Sequence, residues 1–259
     1  MKKVFKYLIL ILAIVLFGLA IPQLIMTFPG FLFKKKFTYR NFLIRSDAAI
    51  DPGMNVTLDS ISERLSATGF YDASESMEII FCQGEAYTDF IDKISMGPHG
   101  AGFHHFSGNI YLFTNRIAQF RQENLKAQGE EKKITEYTYQ EFELDKILMH
   151  EILHKLHSDT LGMLEFKRKM PPPHWKAEGF AEYYTFLKER KHDVHYDFRE
   201  RVRLYLKYKE RFPLFYFRSQ LLYEFLAEHR NMTFVEIMRD DVDEEMAFAG
   251  LMEWYTAAD

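Results

Sequence analysis

The chain has 259 residues, 47% of them hydrophobic and 16% aromatic, enough to bury a sizeable core in one domain or two small lobes. A formal net charge of -4 gives no footprint for a nucleic-acid partner. The lone Cys82 excludes an intramolecular disulfide framework and a multi-cysteine zinc site; in the apolar run MEIIFCQG it reads as a buried strand residue.

After MKKVFK comes YLILILAIVLFGLAIPQLIMTF, Tyr7 to Phe28, with no charged residue. A helix that crosses a bilayer needs about 20 apolar residues, so this run is long enough. Lys2, Lys3 and Lys6 with Gly18-Leu19-Ala20 also fit a cleaved signal peptide, but the apolar character continues past Ala20 and favours an anchor. Lys34, Lys35, Lys36 and Arg40 follow, so the positive charge on the two flanks is nearly balanced. Either reading exports what comes next. We therefore expect residues 1–34 to be a membrane anchor or signal segment and residues 35–259 to be an extracytoplasmic domain, single-pass if anchored and secreted if cleaved.

FTYRNFLIRSD (37–47) alternates and is rich in aromatic and branched residues, which predicts a strand. MNVTLDSISERLSATGF (54–70) has helical spacing of Val56, Leu58, Ile61 and Leu65 before a glycine stop. SMEIIFCQG (76–84) predicts a strand and EAYTDFIDKI (85–94) a short helix. The glycines and Pro98 of MGPHGAGFHHFSG mark a loop or hairpin leading into the strand NIYLF (109–113). His99, His104 and His105 in that segment read as loop histidines. FRQENLKAQGEEKKITEY (120–137) predicts a solvated excursion. From Tyr139 onward nearly everything reads helical, broken at Gly162, at Pro171-Pro172-Pro173 and at Pro213. FRERVRLYLKYKERF (198–212) reads as a solvated amphipathic helix. Strands first and helices afterwards predict an α+β fold: a small mixed sheet with an edge strand, then a mostly helical half.

In TYQEFELDKILMHEILHKLHSDTLG, Leu144, Ile147, Leu148 and Ile152 fall on helical spacing, so HEILH (150–154) lies within a helix. His150 and His154 are then one turn apart and can share an ion, with Glu151 beside them. Imidazole nitrogens suit zinc, and a catalytic site takes three protein ligands and leaves a position for water. PPPHWKAEGFAEYY (171–184) offers the third: on a second helix crossing the first, Glu178 can reach the ion. Glu182, one turn on, can accept the free N–H of a ligating histidine. His157 shares the face but lies a turn beyond, and a fourth protein ligand would close the site to water. His174 reads as a helix-start residue.

HEILH followed by WKAEGFAEY resembles the gluzincin metallopeptidases, in which an HExxH helix precedes a helix with a glutamate ligand, often within W-x-x-E-G-x-A. The resemblance spans about residues 100 to 230. It implies one zinc ion on His150, His154 and Glu178, with Glu151 as general base and Glu182 as the acidic partner of a ligand. PLFYFRSQLLYEFL (213–226) is similar to the segment in which a tyrosine opens a helix after the metal site, and Tyr216 falls at that tyrosine, as oxyanion donor. Two patterns do not carry over. GAGFH (100–104) lacks the acid with which aminopeptidases of this group bind a free amino group, and HExxHxxGxxH fails because this chain has His157 and Thr160.

The resemblance implies a zinc-dependent peptidase acting on a peptide or protein, tethered to a membrane through its N-terminal helix. NIYLF is expected to be the edge strand, aligning an extended peptide by backbone pairing at Asn109, Ile110 and Tyr111. The rival is a non-catalytic zinc-binding scaffold that binds a protein partner; an intact Glu151 argues against it, because a structural site has no use for that carboxylate.

Overall fold

A computed structural model describes residues 7, 20–21, 23–85, 88–89, 101–104, 107–118, 143–162, 164–166, 174–187, 190, 196–210, 214–239 and 241–257. The fold is α+β: a five-stranded mixed sheet, then a mostly helical half. The chain divides into two units, Met1–Asn55 with Ala73–Ile117, and Val56–Asp72 with Ala118–Asp259.

The first unit carries β1 (Lys35–Tyr39), β2 (Phe42–Ser46), β3 (Met77–Cys82), β4 (Ala101–His104) and β5 (Asn109–Phe113) in the order β1-β2-β3-β5-β4. β2, β3 and β5 run parallel; β1 and β4 are antiparallel outer strands. The single strand expected over 37–47 is therefore a hairpin. Arg40 takes a positive φ of 50° at its turn, a conformation that the alternating pattern did not signal because no glycine marks it.

A second correction concerns NIYLF. β5 pairs with β3 on one side and β4 on the other, so it is interior, and all five of its residues are buried. Asn109, Ile110 and Tyr111 have no outer edge to offer an extended peptide. β4 has one. Burial on both faces explains the unbroken apolar run, which is how an interior parallel strand reads.

Along one sheet face, Ile80, Cys82, Tyr111 and Phe113 form a cluster with Met26 and Phe33, flanked by Ile25 and Leu32. Ile25, Met26, Leu32 and Phe33 thus pack with this unit. Among the described residues no helix is long and apolar enough to cross a membrane. Residues 8–19 of the apolar run lie outside the described residues, as do most of the expected helix 85–94, the stretch 120–137, His99, His105, Pro171-Pro172-Pro173 and Pro213.

The second unit holds α1 (Met54–Ser66, all but its first two residues), α2 (Leu144–Leu161), α3 (Trp175–Thr185), α4 (Phe198–Tyr208), α5 (Phe215–Glu224), α6 (Phe234–Ile237) and α7 (Glu244–Thr256). α5 continues as a π-helical turn, Phe225–His229. Leu58, Ile61 and Leu65 of α1 are buried as their spacing predicts, whereas Val56 is exposed. α2 ends at Gly162, whose φ of 82° with ψ of 135° suits only glycine. It buries Leu148, Met149, Ile152, Leu153 and Leu156.

Candidate metal centre

The two helices that carry the site are fixed by different means. α3 starts at His174, whose Nδ1 accepts from the backbone N–H of Lys176, so His174 is the helix-start residue its position suggested. Nearly every residue of α3 is buried. It packs tightly on α5 at Gly179: a Cβ there would fall 2.5 Å from the Ser219 carbonyl oxygen and 2.9 Å from Tyr223 Cβ. Only glycine fits. At the far end, Arg190 donates to the Tyr183 carbonyl, and Gln220 Nε2 donates to the Glu182 carbonyl, which also accepts from the Phe186 N–H. The buried Arg64 of α1 ties the pair together, donating to Asp145 in the first turn of α2 and to the carbonyl of Thr185 at the end of α3.

That packing brings His150 and His154, on consecutive turns of α2, against Glu178 of α3. His150 Nε2 lies 2.9 Å from His154 Nε2 and 3.2 Å from Glu178 Oε2, and His154 Nε2 lies 3.4 Å from the same oxygen. Ligands of a tetrahedral ion at about 2.0 Å are about 3.3 Å apart, so these three atoms have the spacing of three corners of such a site. The group His150, His154 and Glu178 can hold a metal ion. Without one, one of the facing ring nitrogens has to carry a proton toward the other.

On its other side, His150 Nδ1 lies 3.0 Å from Glu182 Oε1. Burial disfavours the charged form of His150, but Glu178 and Glu182 outweigh it and hold its pKa well above the ordinary imidazole value. Glu178 is buried as well, which by itself would raise its pKa. The neighbouring His154 and His150 outweigh burial and hold the carboxyl well below the usual range.

The remaining expected residues divide. Glu151, half-buried, adjoins His150 on α2. Tyr216, the second residue of α5, is 44% exposed, and its ring centroid lies 6.4 Å from that of His150. Tyr223, seven residues on, is buried among Phe180, Tyr183 and Tyr184 and belongs to the core. His157 is fully buried against the rings of Phe166, Phe180 and Phe234, at centroid distances of 4.9, 5.2 and 5.3 Å. Neither of its ring nitrogens has a hydrogen-bond partner among the described residues, and it lies outside the ligand group. Burial, with His154 nearby, pushes its pKa down to about 3.

Sequence reasoning missed the polar network behind the site. Glu224 of α5 accepts from Arg190 at 2.7 Å, from Arg201 at 3.2 Å and from Tyr196, and Arg201 also donates to Gln220. Arg201, Gln220 and Glu224 are all buried, so α4 is amphipathic as expected but Arg201 is not on its solvated face. Asp197, capping α4 through the N–H groups of Arg199 and Glu200, was the one local signal available.

No known protein family, curated protein or solved structure matches this chain.

Proposed function

We propose that the chain is a zinc-dependent peptidase of gluzincin type, held at a membrane by its N-terminal apolar segment, with the second unit carrying the chemistry outside the cytoplasm. One observation carries this reading: two imidazole nitrogens and one carboxylate oxygen converge at ligand spacing, with Glu151 next to one of them. Two nitrogens and an oxygen suit zinc, and three protein ligands leave the position that a catalytic site needs.

Zinc bound there would polarise the scissile carbonyl and lower the pKa of a water molecule toward neutrality. Glu151 takes the proton of the attacking water and passes it to the leaving amine. Glu182 accepts the Nδ1–H of His150, which fixes the ring's tautomer so that Nε2 faces Glu178 and His154. Tyr216, exposed beside His150, donates to the oxygen on which charge develops.

The test is cleavage of a broad peptide library by the purified full chain loaded with zinc, wild type beside Glu151→Gln. The variant removes a base but no ligand, so hydrolysis should fall by about 10² to 10⁴ with zinc retained. A wild type that binds zinc and cleaves nothing supports the scaffold reading instead.

A further inference from the structure

Residues 23–36 present two unlike sides. Met26 (6% exposed) and Phe33 (0%) enter the cluster over Ile80, Cys82, Tyr111 and Phe113, whereas Leu24 (55%), Phe28 (63%) and Phe31 (55%) face outward. Lys34, Lys35 and Lys36, all exposed, come directly after.

The outward side is held in place by the inward one. The Met26 carbonyl accepts from Tyr111 Oη at 2.8 Å, from Asn109 Nδ2 at 3.0 Å and from Ser107 Oγ at 3.4 Å, and Asn109 Nδ2 also reaches the Thr27 carbonyl at 3.3 Å. His104 Nε2 and Gln23 Oε1 are 3.0 Å apart. Gly30 lies so close to Arg45 that a Cβ would meet its Nη1 at 2.9 Å, and Arg45 is itself paired with Glu78. Asn109 and Tyr111, buried and away from any sheet edge, serve here as fasteners of the segment.

We propose that this side docks on an anionic lipid surface, with Leu24, Phe28 and Phe31 entering the boundary between headgroups and acyl chains; Lys35 and Lys36 leave opposite faces of the outer strand β1, and with Lys34 they reach the headgroups through their long side chains. Three large exposed apolar side chains with exposed lysines next in the chain form the combination that an interfacial surface requires. No charged residue lies between Tyr7 and Lys34, so the uncharged run leads into this side with no polar linker, and a tethered chain brings it to the bilayer. A second copy is the poorer occupant, since a two-fold contact would set one lysine triad against the other. The proposal rests on the membrane-tether reading and is independent of the peptidase chemistry.

Cys82 is buried, so a thiol introduced at Phe31→Cys is the accessible one to label with a fluorophore. The full chain is reconstituted in phosphatidylcholine vesicles with or without phosphatidylglycerol, alongside Glu75→Cys, at the opposite end of the strands from Lys35. The label at 31 should be shielded from iodide and quenched by nitroxide-bearing lipids, most strongly on anionic vesicles, while that at 75 stays open. Lys34→Gln/Lys35→Gln/Lys36→Gln should bring the shielding down to its level on phosphatidylcholine alone, about fivefold in the docking equilibrium per lysine removed. Chains that float with the vesicles but leave both labels equally open overturn the docking and spare the tether; chains that do not float overturn both. Shielding that instead grows with protein concentration in detergent assigns the side to a chain–chain contact and overturns the proposal.

Discussion

Glu182 Oε1 and His150 Nδ1 lie 3.0 Å apart, on the side of the imidazole away from Glu178 and His154. The contact fixes which nitrogen His150 turns toward the other two ligand atoms. Glu182→Ala should therefore weaken zinc binding by about 10- to 100-fold without abolishing it, the scale typical of partners behind a ligand. Competition with a chromophoric chelator measures this. Unchanged affinity would leave Glu182 an ordinary helix acid.

Tyr216 and Tyr223 share α5 but not an environment. Tyr216 is exposed beside His150, and Tyr223 is buried, with its hydroxyl pKa pushed up chiefly by burial. Tyr216→Phe should lower kcat by about 10² to 10³ while zinc affinity and KM stay nearly unchanged, because a donor to the oxyanion acts in the transition state. Tyr223→Phe should leave kcat alone. Steady-state kinetics on both variants decides; wild-type turnover in Tyr216→Phe would return that residue to the surface.

Much of this centre could be read in the sequence because its geometry is local. His150 with His154, and Glu178 with Glu182, are each one helical turn apart, and a turn is a property of four residues. What could not be read depends on partners far along the chain. The order of strands is one case: NIYLF looked like an edge, though its unbroken apolar character was the sign of a strand buried on both faces. Arg201 is another. In a helix that also carries Arg199 and Arg203 it resembles a solvated cation, and only the arrival of Glu224 and Gln220 from α5 makes its burial affordable. The role of Met26 and Phe33 in the sheet unit was hidden for the same reason, since an apolar run that ends in a core and one that ends in a linker have the same composition.

Gly179 sets the distance between α3 and α5, and so between Glu178 and Tyr216. Gly179→Ala has to push back the Ser219 carbonyl, backbone that cannot rotate away, and should cost about 1–3 kcal/mol. Thermal denaturation should report a lower Tm, by roughly 2–4 °C per kcal/mol for a chain of this size. A Tm equal to the wild type would show that the two helices are free to separate.

His157 should make the protein acid-sensitive. Its folded-state pKa is about 3 against an ordinary value of 6.5, so between these pH values the unfolded chain binds more protons. Stability is complete above about pH 6.5 and is lost as pH falls toward 3, at up to about 1.4 kcal/mol per pH unit. His157→Leu, apolar and of similar size, removes that titration together with two nitrogens that have no partner among the described residues. Denaturant unfolding at about pH 7 and about pH 4.5 should show a smaller loss in the variant than in the wild type. Equal losses would exclude His157 as the source.

Zinc content decides whether His150, His154 and Glu178 make a three-ligand zinc site. The full chain, its Glu151→Gln variant and its Glu178→Gln variant are purified, dialysed together against a weak chelator and measured by elemental analysis. About one zinc per chain is expected in the wild type and in Glu151→Gln, and almost none in Glu178→Gln. Full occupancy in Glu178→Gln, or no zinc in the wild type, would contradict that site.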